Sequence, residues 1–274
     1  MDSKARNSSM LVRHDSVIGE VETVGKSERS GYQGPGLFDL PAEIRVHIYN
    51  LVFCPVTSHA AAFALTSPCS SLAYQTDYQS SYYLQPLLTC KQLYTEASLF
   101  AFSRTPFVVS NPYMALEITS TLSSLSSGHS SSLRHLSIVA DARHFRKISS
   151  WGTHPFSQSN LDLDELTIVL RRTSYWHYLF DFNVALVTLL RNLQGVKKLT
   201  FVRNGAQIKG TLLNWYNRLV KLILQTDEKE RFEGAGPETT WWTWSHDKAL
   251  QTVSFTLSDP KPLMSRSDYN AHTQ

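Results

Sequence analysis

A six-residue pattern occurs four times in the second half of this chain, and it limits the available folds more than any other feature. Leu133-Arg134-His135-Leu136-Ser137-Ile138 is followed by Leu163-Asp164-Glu165-Leu166-Thr167-Ile168. Val196-Lys197-Lys198-Leu199-Thr200-Phe201 and Leu250-Gln251-Thr252-Val253-Ser254-Phe255 complete the set. Each copy is apolar-polar-polar-apolar-Ser/Thr-apolar, and the last three positions alternate as those of a strand do. The copies begin 30, 33 and 54 residues apart. The first two intervals suit a strand, a crossover and a parallel neighbour.

Helical periodicity fills two of the gaps. From Tyr178 to Leu193, the residues Leu179, Phe182, Leu186, Leu189, Leu190 and Leu193 share a side, and Gly195 is placed to stop the helix as a C′ residue. From Thr211 to about Arg231, Leu212, Trp215, Tyr216, Leu219, Leu222 and Ile223 do the same. Strands alternating with helices predict parallel strands joined by right-handed crossovers. The uneven spacing excludes a regular solenoid. The expectation is a degenerate leucine-rich-repeat-like unit or a small open sheet, with about four strands and crossover helices.

The first half is organised differently. Residues 1–35 are polar and Ser-rich, and they bury too little apolar surface to offset the entropy of ordering. Next comes Leu40-Pro41-Ala42-Glu43-Ile44-Arg45-Val46-His47-Ile48-Tyr49-Asn50-Leu51. Pro41 suits the first helical position, and Glu43 complements the exposed N–H groups of the first turn. Ile44, Ile48, Leu51 and Val52 recur at helical spacing and line one face. A helix this short is marginal alone and must dock on something. Cys54-Pro55 ends it.

Residues 59–85 suggest a small hairpin or an irregular insertion. Leu87 to Phe102 predicts a second helix, with Leu87, Cys90, Leu93, Tyr94, Ala97, Phe100 and Ala101 on its apolar face. Phe107-Val108-Val109 predicts a strand, and Asn111-Pro112 begins a helix through about Leu125. Eight serines and one glycine between Ser120 and Ser132 predict a loop there. The division expected is a disordered tail over 1–36, a helical unit over 37–130, a strand–helix unit over 131–258 packed on it, and a flexible tail over 259–274. The fold class is α+β or α/β.

Chemistry is sparse. The chain has no Gly-x-Ser-x-Gly, His-Glu-x-x-His, P-loop or Gly-x-Gly-x-x-Gly pattern. Asp162, Asp164 and Glu165 form the densest acidic group, with Asp162 and Asp164 on one face of a strand. With no glycine turn beside them they suit a solvated strand start better than a cation loop. His129, His135, His144 and His154 lack the spacing of a helical zinc pair. Cys90, on an apolar helix face, reads as an inert core residue. Trp241, Trp242 and Trp244 read as core and rim packing, with Trp242 and Trp244 pointing one way. No catalytic residue, metal site or cofactor is expected, and the chain reads as a non-enzyme.

The net charge of +3 comes without a long Lys/Arg run, which disfavours nucleic acid as a partner. Arg143-His144-Phe145-Arg146-Lys147 and Arg171-Arg172 read as solvated loops or strand ends. The three cysteines, Cys54, Cys69 and Cys90, make neither a disulfide framework nor a metal motif, which suits a reducing compartment. With no secretory pattern and no membrane-length apolar run, the expected location is cytoplasm or nucleus.

Two segments together resemble a known family. Leu37-Phe38-Asp39-Leu40-Pro41-Ala42-Glu43-Ile44-Arg45-Val46-His47-Ile48-Tyr49-Asn50-Leu51-Val52 resembles the opening of F-box-like domains of filamentous fungi. Leu87-Leu88-Thr89-Cys90-Lys91-Gln92-Leu93-Tyr94-Thr95-Glu96-Ala97 looks like the second signature of a large fungal family of unknown function. Here Lys91 stands where that family usually has arginine, and the two helices are further apart than in an F-box. The resemblance implies that Leu40, Pro41, Ile44, Ile48 and Leu51 bind a protein partner, the small adaptor of a cullin-type ubiquitin ligase. The downstream repeat would then recruit substrate, as in F-box proteins with leucine-rich repeats. The alternative is a stand-alone structural or regulatory fungal domain with no ligase role, in which the same isoleucines pack on the Cys90 helix.

Overall fold

The computed structural model of the chain describes residues 36–53, 62–66, 71–110, 115–148, 150–176, 179–232 and 241–259. It divides into two compact units, Met1–Leu40 and Pro41–Gln274. The described part of the first is a 3-10 turn, Leu37–Asp39, where the Gly36 N–H donates to the Asp39 carboxylate at 2.7 Å. Residues 1–35 and 260–274 of the tails expected over 1–36 and 259–274, the helix start expected at Asn111 and Pro112, and Cys54 and Cys69 lie outside the described residues.

The second unit is mixed α/β. It begins with α1 (Ala42–Phe53), the hairpin strands β1 (Phe63–Thr66) and β2 (Ser71–Tyr74), α2 (Ser80–Leu84) and α3 (Lys91–Arg104). After these come β3 (Phe107–Val109), α4 (Ala115–Ser124), α5 (Ser127–Ser132), β4 (His135–Ala140) and α6 (Ala142–Ile148). The chain continues through β5 (Glu165–Leu170), β6 (Tyr175–Trp176), α7 (Asn183–Asn192), β7 (Lys198–Val202) and β8 (Gln207–Ile208). It closes with α8 (Leu212–Phe232), β9 (Trp241–Asp247) and β10 (Thr252–Ser258).

Six of these strands form one mixed sheet in the order β3-β4-β5-β7-β10-β9, two more than the repeat alone predicts. All four copies of the pattern lie in it as neighbours, and the first three are aligned position by position. Leu136 pairs with Leu166 and Leu166 with Leu199, while Ile138 pairs with Ile168 and Ile168 with Phe201. A one-residue slip would turn every one of these side chains to the other face, so core burial holds the register. The strands β3, β4, β5 and β7 are parallel, as expected.

The fourth copy departs from that expectation. Strand β10 runs antiparallel to both β7 and β9. After α8 the chain goes to the outer edge as β9, turns, and fills the slot beside β7 on its return. The turn is held by the Leu250 N–H donating to the Asp247 carboxylate at 2.8 Å, with Gln251 in the left-handed region at φ 56°.

One face of the sheet carries the main core. Leu136, Ile138, Leu166, Ile168, Leu199 and Phe201 are buried there, packed with Phe145 of α6, Leu186 of α7 and Trp215 of α8. Phe201 lies at the centre of an aromatic group, with ring centroids 5.2 Å from Trp215 and 5.8 Å from Phe145. Each such burial contributes roughly 1.5–3 kcal/mol before the ordering entropy is set against it. The first apolar residue of each of the first three copies, Leu133, Leu163 and Val196, joins the same core from just before its strand.

The opposite face is covered in part by the β1–β2 hairpin. Ala62 and Phe63 pack on Val139, Val169 and Val202, one residue from each of three neighbouring strands. The hairpin is tied down through its backbone: the Leu72 N–H donates to the Leu250 carbonyl at 3.2 Å, and the Tyr74 N–H to Asn204 Oδ1 at 2.9 Å. The expected insertion is thus a hairpin that belongs to the sheet's second layer.

Several local expectations are corrected. The serine-rich stretch contains a helix, α5, because the Ser126 hydroxyl accepts the His129 N–H at its start and Ser130 and Leu133 are buried. The basic stretch around Arg146 is also helical: in α6, Phe145 and His144 point inward while Arg146 and Lys147 remain exposed. Gly195 does not cap α7, which ends at Asn192 with Leu193 as its C-cap. It turns the chain into β7 at φ +71°, where a Cβ would meet the Leu161 carbonyl oxygen at 2.4 Å. The prediction for α8 holds, and Thr211 caps it by accepting the Asn214 N–H at 3.0 Å.

Candidate interaction surface

Helix α1 has two apolar faces, and its neighbour α3 settles which one turns inward. The helix begins just after Pro41, whose carbonyl accepts the Arg45 N–H at 3.1 Å; the proline is therefore the cap and Ala42 the first helical residue. Arg45, Tyr49 and Phe53 follow at intervals of four, which places them on one side. Tyr49 and Phe53 are buried, with ring centroids 6.3 Å apart. Arg45 Nε donates to Glu96 Oε1 on α3 at 2.5 Å, and Arg104 of α3 reaches Asn50 Oδ1 at 3.4 Å. Burial, with the Glu96 carboxylate alongside, holds the Tyr49 phenol above its ordinary pKa.

The face predicted from the isoleucines is turned away from this contact. Ile44 is 49% exposed, Leu51 71% and Val52 46%, and Ile48 is partly covered. Pro41 is exposed too. Leu40 belongs to the first unit, where it is partly buried. The polar contacts between α1 and α3 include Arg45, Tyr49 and Asn50, and Ile44 stands largely exposed beside them. Sequence reasoning passed over these residues because four aliphatic side chains outweigh two aromatic ones in a count. The usable signal was the Tyr49–Phe53 spacing beside an arginine.

Helix α3 also differs from its expected form. A 3-10 turn, Gln85–Leu88, carries Pro86 and separates Leu87 from the helix proper. Cys90 is the N-cap, exposed, with its Sγ accepting the Leu93 N–H at 3.4 Å, and is no core residue. The inward face is Leu93, Ala97, Ser98 and Ala101, while Tyr94 lies exposed. Leu88, in the preceding turn, is 82% exposed.

The acidic residues of the strand half are dispersed into separate ion pairs. Asp162 Oδ2 meets Arg134 Nη1 at 2.5 Å, and Asp164 Oδ1 meets Lys197 Nζ at 2.7 Å. Glu165 is buried; it accepts the Thr200 hydroxyl at 2.6 Å and lies 3.3 Å from Lys198 Nζ. Neither aspartate is in a strand, since β5 begins at Glu165. Among the described residues, no three His, Cys, Asp or Glu side chains gather to hold a metal ion. The four histidines go separate ways; His129, for example, sits against Tyr94 and Phe102 of α3. Trp242 is buried and donates its Nε1–H to the Leu190 carbonyl at 2.5 Å, and Trp244 packs partly buried on the same core. No helix among the described residues is long and apolar enough to cross a membrane.

Among known proteins, no family model, no curated protein and no solved structure matches this chain.

Proposed function

We propose that this chain is a non-catalytic protein-interaction protein, an F-box-like substrate receptor of a cullin-type ubiquitin ligase. In this reading Pro41, Ile44, Ile48 and Leu51, with Leu40 before them, bind the small adaptor. The leucine-rich-repeat-like half, residues 131–258, recruits substrate. One observation carries the reading: α1 anchors to its own fold through Tyr49 and Phe53 and leaves Ile44, Leu51 and Val52 exposed. These three lie on adjoining turns of one short helix face, and clustered exposed apolar side chains mark interaction sites.

The test is co-purification of the full chain with the ligase adaptor, comparing wild type with the double variant Leu40→Ala, Pro41→Ala and with Ile44→Asp. Capture by wild type and loss in both variants, with unchanged circular dichroism, is the expected result. Failure of the wild-type chain to capture the adaptor overturns the proposal and leaves the stand-alone domain as the reading.

A further inference from the structure

A cavity of about 280 Å3 opens beside β4, between α4, α6 and the segment that follows α6. It is just below the roughly 300–1,000 Å3 usual for small-molecule sites, so any occupant is compact. Its apolar wall includes Ile138 from the strand and the rings of Trp151 and Phe156. Those two rings lie with centroids 4.7 Å apart at 50° and give the wall an aromatic surface.

The polar side of the wall is cationic and hydroxylic. Lys147, His144 and Ser157 line it. His144 is buried and its Nδ1 is tied to Asp141 Oδ1 at 2.5 Å, which fixes the ring within the wall. Lys147 is exposed and makes no ion pair among the described residues. The lining contains no carboxylate and no arginine among the described residues. A single lysine is a point charge, which balances one monoanionic group. The backbone is also held unusually here. Phe156 and Ser157 are consecutive non-glycine residues in the left-handed region, at φ 53° and 59°, and both face the cavity. Such conformations persist where the surroundings impose them.

We infer that this cavity binds a small aromatic carboxylate, with its ring against Trp151 and Phe156 and its carboxylate on Lys147. This ligand site is separate from the α1 surface, and neither depends on the other.

Calorimetric titration of the full chain tests it, using benzoate and indole-3-acetate against their neutral amides, benzamide and indole-3-acetamide. The carboxylates are expected to bind at least about tenfold more tightly than the amides. Lys147→Met should abolish that preference while leaving the melting temperature unchanged, because the side chain is exposed. Trp151→Leu should weaken carboxylates and amides alike. No binding of either carboxylate at about 10 mM overturns the inference, since a site with a Kd of about 1 mM would be mostly filled there. Equal binding of acids and amides, or a preference that survives Lys147→Met, overturns it as well.

Discussion

Arg45 of α1 and Glu96 of α3 form an ion pair at 2.5 Å, on the same side of α1 as the buried Tyr49 and Phe53. Tyr49 and Phe53, four and eight residues on from Arg45, are buried on that side, while Ile44 and Leu51 are exposed. Ile44→Asp and Leu51→Asp are therefore each expected to change stability by no more than about 0.5 kcal/mol, as for surface sites. Phe53→Ala should cost about 3–5 kcal/mol through lost burial and the cavity left behind. Urea melts of the three variants check this, and a collapse of Ile44→Asp would show the isoleucine face to be internal.

Tyr78 supplies an alkaline signature. Its hydroxyl donates to the Pro106 carbonyl at 2.7 Å, and burial pushes its pKa from 10.0 up to about 12. In the unfolded chain the phenol ionises near pH 10, so between about pH 10 and about pH 12 the folded state holds the extra proton. The stabilisation is complete below that window and is lost as the pH rises through it. Urea midpoints measured across the window should fall less steeply for Tyr78→Phe than for wild type.

Gly195 is required by geometry. A side chain there meets left-handed backbone, costing about 1–3 kcal/mol. It also meets the Leu161 carbonyl, which is backbone and cannot swing aside. Gly195→Ala should therefore lower the melting temperature, whereas Gly152→Ala should be neutral on packing grounds, because nothing lies within 4 Å of a Cβ at Gly152. Parallel thermal melts distinguish the two.

The hydroxyl of Thr200 joins neighbouring copies of the repeat by donating to the buried Glu165. Thr200→Val keeps the shape and removes the donor, at an expected cost of about 1–3 kcal/mol. Thr200→Ser retains a hydroxyl and should recover part of it. Denaturant unfolding of both variants reads the difference.

The strands were legible because Leu136, Leu166 and Leu199 hold the same place in three copies of one pattern, and sheet pairing matches like with like. The direction of the fourth was not, because Val253-Ser254-Phe255 alternates identically from either end. Strands β3 and β9 add two to the sheet without carrying the pattern, so the repeat could not count them. On α1 the aliphatic face was found from spacing alone, but its outward orientation follows from the burial of Tyr49 and Phe53 on the other side, which spacing does not show. The role of Cys90 was hidden because a thiol is an uncommon helix cap. His144 and Asp141 were hidden because a basic-looking stretch turned out to be half buried.

The order in which the last two strands enter the sheet bears on truncation. Strand β10 lies between β7 and β9, so a chain cut before Trp241 loses both at once. It would leave the hydrogen-bonding edge of β7 open, with Leu199 and Phe201 stripped of Phe255 and Val253 beside them. An open apolar edge of that kind pairs readily with another copy of itself. The final hairpin therefore covers the apolar edge of β7, and shortened forms should be sought in the aggregated fraction.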